Sequence, residues 1–350
     1  MIRLSLLQFR AQAITALAAM AAFAILLVAT EPHLASLYAA SGISDCQPAS
    51  CAHLASNFLQ QLYAAGTYWM LYLLGVMLIL VAPAVIGLFW GAPLIARELE
   101  TGTSALAWNQ SVTRTRWLAV KLTTGGLAAV AATEGLSLMQ AWWAAPIGRA
   151  VGYGGGGTNL AMGRFSSLVF ATHGITPLGY AAFGFALGVT AGALTRRTVP
   201  AMAVTLAIFA AVQIAMPLWI RPNLFPARHT VIPVTSLDSI SLQQQGGLNG
   251  SRFNLGALDL PGQPGAWILS SGAVNAAGQA TSTAPAACTT MQSASPAFFD
   301  CLASHGIREA ISYQPASRYW PFQWTETAIY LALVLTLTGY CFRRLNRRLS

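Results

Sequence analysis

Residues 91–121 read GAPLIARELETGTSALAWNQSVTRTRWLAVK, the longest basic segment in a 350-residue chain otherwise poor in charge. Arg97, Glu98 and Glu100 favour continuing the helix of the apolar run before them, and Gly102 ends it. Thr103 can cap a short new helix over 104–110, whose tip carries Leu106 and Trp108. Ser111 or Thr113 caps the next helix, and Arg114, Arg116 and Trp117 lead into Leu122. The product is an elbow: an apolar knob ringed by charge and tied to a hydrophobic run on each side. An aromatic side chain framed by polar groups is how protein–protein hot spots are usually built, so the elbow is expected to dock a soluble partner. The competing reading is a basic loop on lipid headgroups, with Trp108 as an interfacial anchor.

Composition sets the surroundings of this elbow. Hydrophobic residues make up 55% of the chain and DEKR only 8%, against about a quarter charged in soluble domains. Such a chain has the bilayer as its solvent. Apolar runs lie at 11–29, 68–90, 122–145, 175–194, 199–220 and 325–342, each near the ~20 residues a helix needs to cross the hydrocarbon core. Helices are expected because lipid leaves unpaired backbone groups unsatisfied. The expected fold is therefore an all-α integral membrane protein with six transmembrane helices and a small mixed α/β domain between spans five and six. Arg3 and Arg10 flank alternating leucines, which read as a short helix along the inner surface ahead of a retained first span.

Orientation follows from the basic residues. With both termini in the cytoplasm, the inner segments hold Arg3, Arg10, Arg97, Arg114, Arg116, Lys121, Arg196, Arg197, Arg343, Arg344, Arg347 and Arg348, twelve of the nineteen. The other seven are spread over the much longer outer segments. The organisation expected is a bundle over 1–220 containing the elbow at 91–121, an external domain over 221–322, and a last span with a basic tail over 323–350. The net charge of +9 then reports topology and contact with anionic lipid. No basic, aromatic-studded soluble domain accompanies it, so nucleic acid is not an expected partner.

Four cysteines fall in the outer segments, where disulfides persist: Cys46 and Cys51 around QPAS, and Cys288 with Cys301. Pairing Cys46–Cys51 and Cys288–Cys301 is the preferred of three possible connectivities. Cys341 is left over. In the first outer segment, 52–65 reads as helix; 164–172 reads as a short interfacial helix, and the glycines of 152–157 as a flexible loop. Within 221–322, residues 266–271 read as a strand, 296–304 as a helix stopped by Gly306, and 311–314 as a return to the membrane. Low aliphatic content there suggests loose packing that leans on the disulfide.

Polar residues inside the runs are the remaining candidates. Glu134 stands near the middle of the third run, and an intramembrane carboxylate points to function. Thr133, Ser137 and Gln140 make an i, i+4, i+7 stripe beside it. This face lines a dimer interface or substrate path, or Glu134 is a protonated, hydrogen-bonded structural residue. Gly184, Gly188 and Gly192 repeat the GxxxG spacing that lets another helix approach. Pro83 and Pro177 are expected to kink their helices. His173 reads as an interfacial hydrogen bonder, and Tyr319, Trp320, Phe322 and Trp324 as an aromatic belt.

The pattern ARELETGT…LAWNQSVTRTRWLAVK over 96–121 resembles the coupling region of permease subunits of ABC transporters of the type-2 exporter class. Glu98, Glu100, Gly102 and Thr103 match its acidic ExE-x-GT element, and Val112, Thr113, Arg114 and Lys121 its polar turn before the third span. The similarity is greatest to permeases common in actinobacteria, and YQPASRYWPF over 313–322 adds to it. The resemblance implies a homodimer, or a dimer with a paralogous permease, bound to two ATPase subunits. Those subunits would carry ATP and Mg, since this chain has no G-x-x-x-x-G-K-[ST] phosphate loop and binds no cofactor of its own. The expected substrate is a hydrophobic or amphipathic compound (a drug, an antibiotic or a lipid). A membrane sensor or anchor, binding its ligand with the outer domain, is the alternative. Neither HExxH nor GxSxG is present to support a membrane enzyme.

Overall fold

Neither glycine nor proline interrupts the sequence before Pro32, and the first helix, α1 (Ile2–Ala40), runs unbroken. The separate surface helix expected over the first ten residues is therefore the first part of α1. The computed structural model describes residues 2–46, 48–101, 113–153, 163–234, 240–245, 252–257, 260, 262–288 and 295–347. After α1 come α2 (Pro48–Ala65), α3 (Thr67–Ile86), a π-helical turn at Gly87–Gly91, and α4 (Ala92–Glu100). The chain continues as α5 (Arg114–Trp143), α6 (Ala145–Gly152), α7 (Ser167–Thr172), α8 (Thr176–Thr195) and α9 (Thr198–Ala215), the last ending in a second π turn, Met216–Ile220.

Among the described residues, five helical stretches are long and apolar enough to cross a membrane: Gln12–Ala40, Thr67–Glu100, Thr176–Thr195, Thr198–Asn223 and Ala316–Arg344. The third expected span lies inside α5, whose Thr, Glu and Gln residues dilute its hydropathy. Its 30 residues still reach about 45 Å at ~1.5 Å per residue, more than a bilayer core requires.

α8 is the post around which the bundle is built. It is buried along almost its whole length and meets α3, α4, α5, α9 and the carboxy-terminal helix α11 (Tyr319–Arg347). A helix apolar on every side belongs in a core. α1 is its opposite: it leans on α5 and α6 and leaves Ile14, Leu17, Ile25 and Val28 exposed, as suits a helix facing lipid. Pro177 lies in the first turn of α8, where its missing N–H is not needed, so it starts that helix rather than kinking it. Pro83 is inside α3, just before the first π turn.

Between α9 and α11 the chain forms a strand-bearing unit. β5 (Arg308–Gln314) lies between β1 (Arg228–Pro233) and β4 (Trp267–Val274) in an antiparallel sheet, and β2 (Ile240–Gln245) pairs with β3 (Arg252–Ala257). The expected strand at 266–271, helix at 296–304 and return at 311–314 correspond to β4, α10 (Pro296–Ser304) and β5. Disulfides join Cys46 to Cys51 and Cys288 to Cys301. Cys288 sits in a buried cluster with Val234, Phe298, Phe299, Leu302 and Ile307. Two phenylalanines and a few aliphatic side chains thus pack around the disulfide.

Candidate functional site

Three helix ends meet where the elbow begins. α4 buries Ala92, Ile95 and Ala96 and turns its acidic residues toward its neighbours. Glu98 forms an ion pair with Lys121 of α5, and the Lys121 ammonium also lies 4.6 Å from the centre of the Trp117 ring. Lys121 is 3% exposed, a burial that only a paired ammonium tolerates. Glu100 reaches the other way: its Oε2 accepts from the Thr198 backbone N–H at 3.2 Å and the Thr198 hydroxyl at 2.8 Å. A carboxylate of α4 thus caps α9, where unpaired N–H groups and the helix dipole favour an anion. Thr113 caps α5 by accepting from the Arg116 N–H at 3.4 Å.

Glu98 therefore binds α4 to α5, and Glu100 binds it to α9. Glu98 is half-buried, whereas Glu100 remains exposed beside its Thr198 partner. Arg97, Arg116, Arg196 and Arg197 are exposed around them. Arg196 closes α8 with φ 54°, the left-handed conformation, and is the single non-glycine residue with positive φ among the described residues. Arg114 begins α5. Gly102, Thr103, Leu106 and Trp108 lie outside the described residues.

Close packing carries these ties into the bundle. A Cβ added to Gly184 would stand 2.5 Å from the Pro83 carbonyl oxygen, and one on Gly192 would stand 2.5 Å from that of Ala92. Between them, a Cβ on Gly188 would meet the Gly87 carbonyl. Gly91 returns the fit, its missing Cβ lying 2.6 Å from the Phe185 oxygen. The glycine row of α8 thus meets α3, the first π turn and α4 backbone to backbone.

The polar stripe of α5 divides. The Ser137 hydroxyl donates to the Thr172 carbonyl at 2.8 Å, and Gln140 Nε2 donates to the Tyr72 carbonyl at 3.3 Å. Gly75 leaves the room that Gln140 occupies. Both residues are buried in the protomer and hold α5 to α7 and α3. Glu134 is half-buried, and its Oε2 has no hydrogen-bond partner among the described residues.

A larger polar centre was not singled out from sequence. Arg221 and Glu326 are both buried and paired in two hydrogen bonds, Nε to Oε2 at 2.8 Å and Nη2 to Oε1 at 3.0 Å. The Tyr180 hydroxyl donates to Glu326, and the Arg221 guanidinium lies 4.0 Å from the centre of the Phe170 ring. One turn earlier, Gln323 Oε1 accepts from the N–H groups of Ile175 and Thr176 at 3.1 and 3.0 Å, satisfying the start of α8. The signal was available: Glu326 is the only acidic residue of the sixth apolar run, and Arg221 is a cation abutting the fifth. Phe322 is also buried, packed with Phe165, Phe225 and Trp267, so of the expected aromatic belt only Trp320 and Trp324 are broadly exposed. His173 accepts or donates at Nδ1 to Thr172 Oγ1 at 3.1 Å and lies 3.0 Å from the Val169 carbonyl.

Comparison with known families accounts for the helical part of this arrangement. The family described as ABC-2 membrane transporter related matches residues 17–221. The chain belongs to this family. The match covers more than half of the ABC-2 chain, from α1 to the buried Arg221, and takes in every helix that meets at the elbow. It ends where the strand-bearing unit begins. Membership makes the chain a membrane component of an ABC transporter, a part without its own ATPase domain that works beside an ABC ATPase subunit. No curated protein and no solved structure matches the ABC-2 chain.

Proposed function

We propose that this ABC-2 chain is the permease subunit of an ATP-driven exporter. α5 is the third of six spans, both termini are cytoplasmic, the strand-bearing unit is extracellular, and the 102–112 connection faces the cytoplasm. Two ATPase subunits, carrying ATP and Mg, grip that connection through Leu106 and Trp108. The permease works as a homodimer or beside a paralogous permease in the plasma membrane.

The observation that carries this reading is the pair of ties at the elbow. Glu98 to Lys121 and Glu100 to Thr198 bind α4 to the starts of α5 and α9. A push on the elbow is thereby delivered to three helices, and the glycine contacts pass it to α8. An elbow held by charge-assisted bonds transmits pull as well as push. The basic residues favour the cytoplasmic side for this face, since Arg97, Arg116, Arg196 and Arg197 all gather on it.

A hydrophobic or amphipathic cargo (drug, antibiotic or lipid) fits the walls. A largely apolar cavity of about 280 Å³ lies between α1, α3 and α5, lined in part by Met20, Val85, Trp90 and Thr133. Glu134 projects from the same helix. The test is to purify the chain with its ATPase and compare ATP hydrolysis with and without candidate hydrophobic compounds. Trp108→Ala is expected to fold and to lose stimulation; normal stimulation and transport in that variant would remove the knob from the mechanism.

A further inference from the structure

The end of α5 remote from the elbow opens into a cavity of about 440 Å³. Ala141 and Ala144 lie on its wall, about 30 Å along the helix from Lys121 at ~1.5 Å per residue. That separation is the thickness of a hydrocarbon core, so the cavity stands at the opposite membrane surface. Its polar lining is cationic: Arg149 on α6, Arg164 ahead of α7, and His173, with Tyr72, Tyr319 and Trp320 among the remaining walls. No Asp or Glu is among the described residues that line it.

The two arginines have no carboxylate partner among the described residues, where the ion pairs are Lys121–Glu98 and Arg221–Glu326. The Arg149 guanidinium lies 5.1 Å from the centre of the Tyr38 ring, and Arg149 and Arg164 are both exposed. Burial lowers the pKa of the His173 imidazole below its usual value, so the positive charge comes from the arginines. Two arginines on the wall of one cavity, without a carboxylate partner among the described residues and set with apolar walls and an exposed Trp320, match one chemistry: a phosphate carried on an apolar body.

We propose that Arg149 and Arg164 bind the phosphate group of an anionic amphiphile in this cavity, with the apolar part lying along α5 and α6. The phosphate of a lipid and a free phosphate share this recognition chemistry, and the experiment separates them.

The full-length protein is placed in phosphatidylcholine nanodiscs with increasing phosphatidylglycerol, and retained phospholipid is counted by native mass spectrometry. One phosphatidylglycerol per chain is expected on the wild type, and Arg149→Gln with Arg164→Gln should weaken its retention about tenfold or more. Equal retention in both proteins overturns the proposal. Because the double variant could fail to fold, a second measurement uses the wild type alone and follows protection of Arg164 from phenylglyoxal. Protection by inorganic phosphate shows that the free anion suffices. Protection by phosphatidylglycerol alone assigns the site to lipid. Protection by neither, or by phosphatidylcholine equally, overturns it.

Discussion

Glu98 and Glu100 are two residues apart, and they face different helices. Resemblance to a coupling motif makes both candidate partner contacts; in the structure Glu98 also ties α4 to α5, and the exposed Glu100 ties it to α9. Their position was legible in the sequence and their bonding was not, because Lys121 and Thr198 are brought to them only by tertiary packing. Lys121→Ala removes the ion pair between α4 and α5, and a loss of about 1–3 kcal/mol is expected in detergent thermal unfolding, less than for a fully buried pair because Glu98 keeps some solvent. The Arg221–Glu326 pair is fully buried, so Glu326→Leu alone should cost about 3–5 kcal/mol by stranding the guanidinium. Arg221→Met added to it should recover most of that loss. A double variant no more stable than the single one would show that the pair is not acting as a unit. Glu134 was conspicuous in sequence as a carboxylate in an apolar run, and like Thr133 and Gln140 of α5 it has an oxygen without a hydrogen-bond partner among the described residues. Export by Glu134→Gln should exceed export by Glu134→Leu; equal export would take Glu134 out of the substrate path.

At the scale of elements, periodicity and glycine spacing were the readable signals. The GxxxG row of α8 announced a close helix approach, and the structure supplies its partners: Pro83, Gly87 and Ala92 on α3, the first π turn and α4. The π turns themselves left no mark, since both lie in runs that are apolar throughout and show no stripe for an extra residue to displace. α1 was cut short in the reading because charge near its start suggested a surface segment, yet nothing in the chain breaks the helix there. Gly188→Leu should prevent the α8 packing and abolish recovery of folded protein, because the atoms it meets are backbone. Gly339→Leu on α11 is the matched control: nothing lies within 4 Å of its added Cβ, and it should fold with unchanged thermal stability. Similar folding of both variants would contradict the close-packed post.

The whole molecule is a bundle with a strand-bearing unit seated on one end. Arg221 and Glu326 flank the two stems of that unit, and Phe225, Trp267 and Phe322 close an aromatic contact beneath it. Arg318 adds a hydrogen bond to the Pro226 carbonyl at 2.6 Å. The sequence located the unit through its change in composition and its cysteines. Its attachment stayed hidden, because aromatic residues near a span end read equally well as a lipid belt. Replacing Cys288 and Cys301 together by serine should destabilise this unit by about 3 kcal/mol, the entropy of a loop of that length. Hydrogen exchange should rise in β5 and α10 while α8 stays protected. Uniform exchange across both regions would mean that the unit and the bundle unfold as one.

The whole account turns on which side of the membrane the elbow occupies. Trp108→Cys, treated in intact cells with a membrane-impermeant maleimide, measures this directly, since Cys341 is buried and the other four cysteines are paired. The account predicts no labelling until the cells are permeabilised, and then labelling that the ATPase subunit suppresses. Full labelling of intact cells would place the elbow outside, beyond the reach of any nucleotide-driven partner.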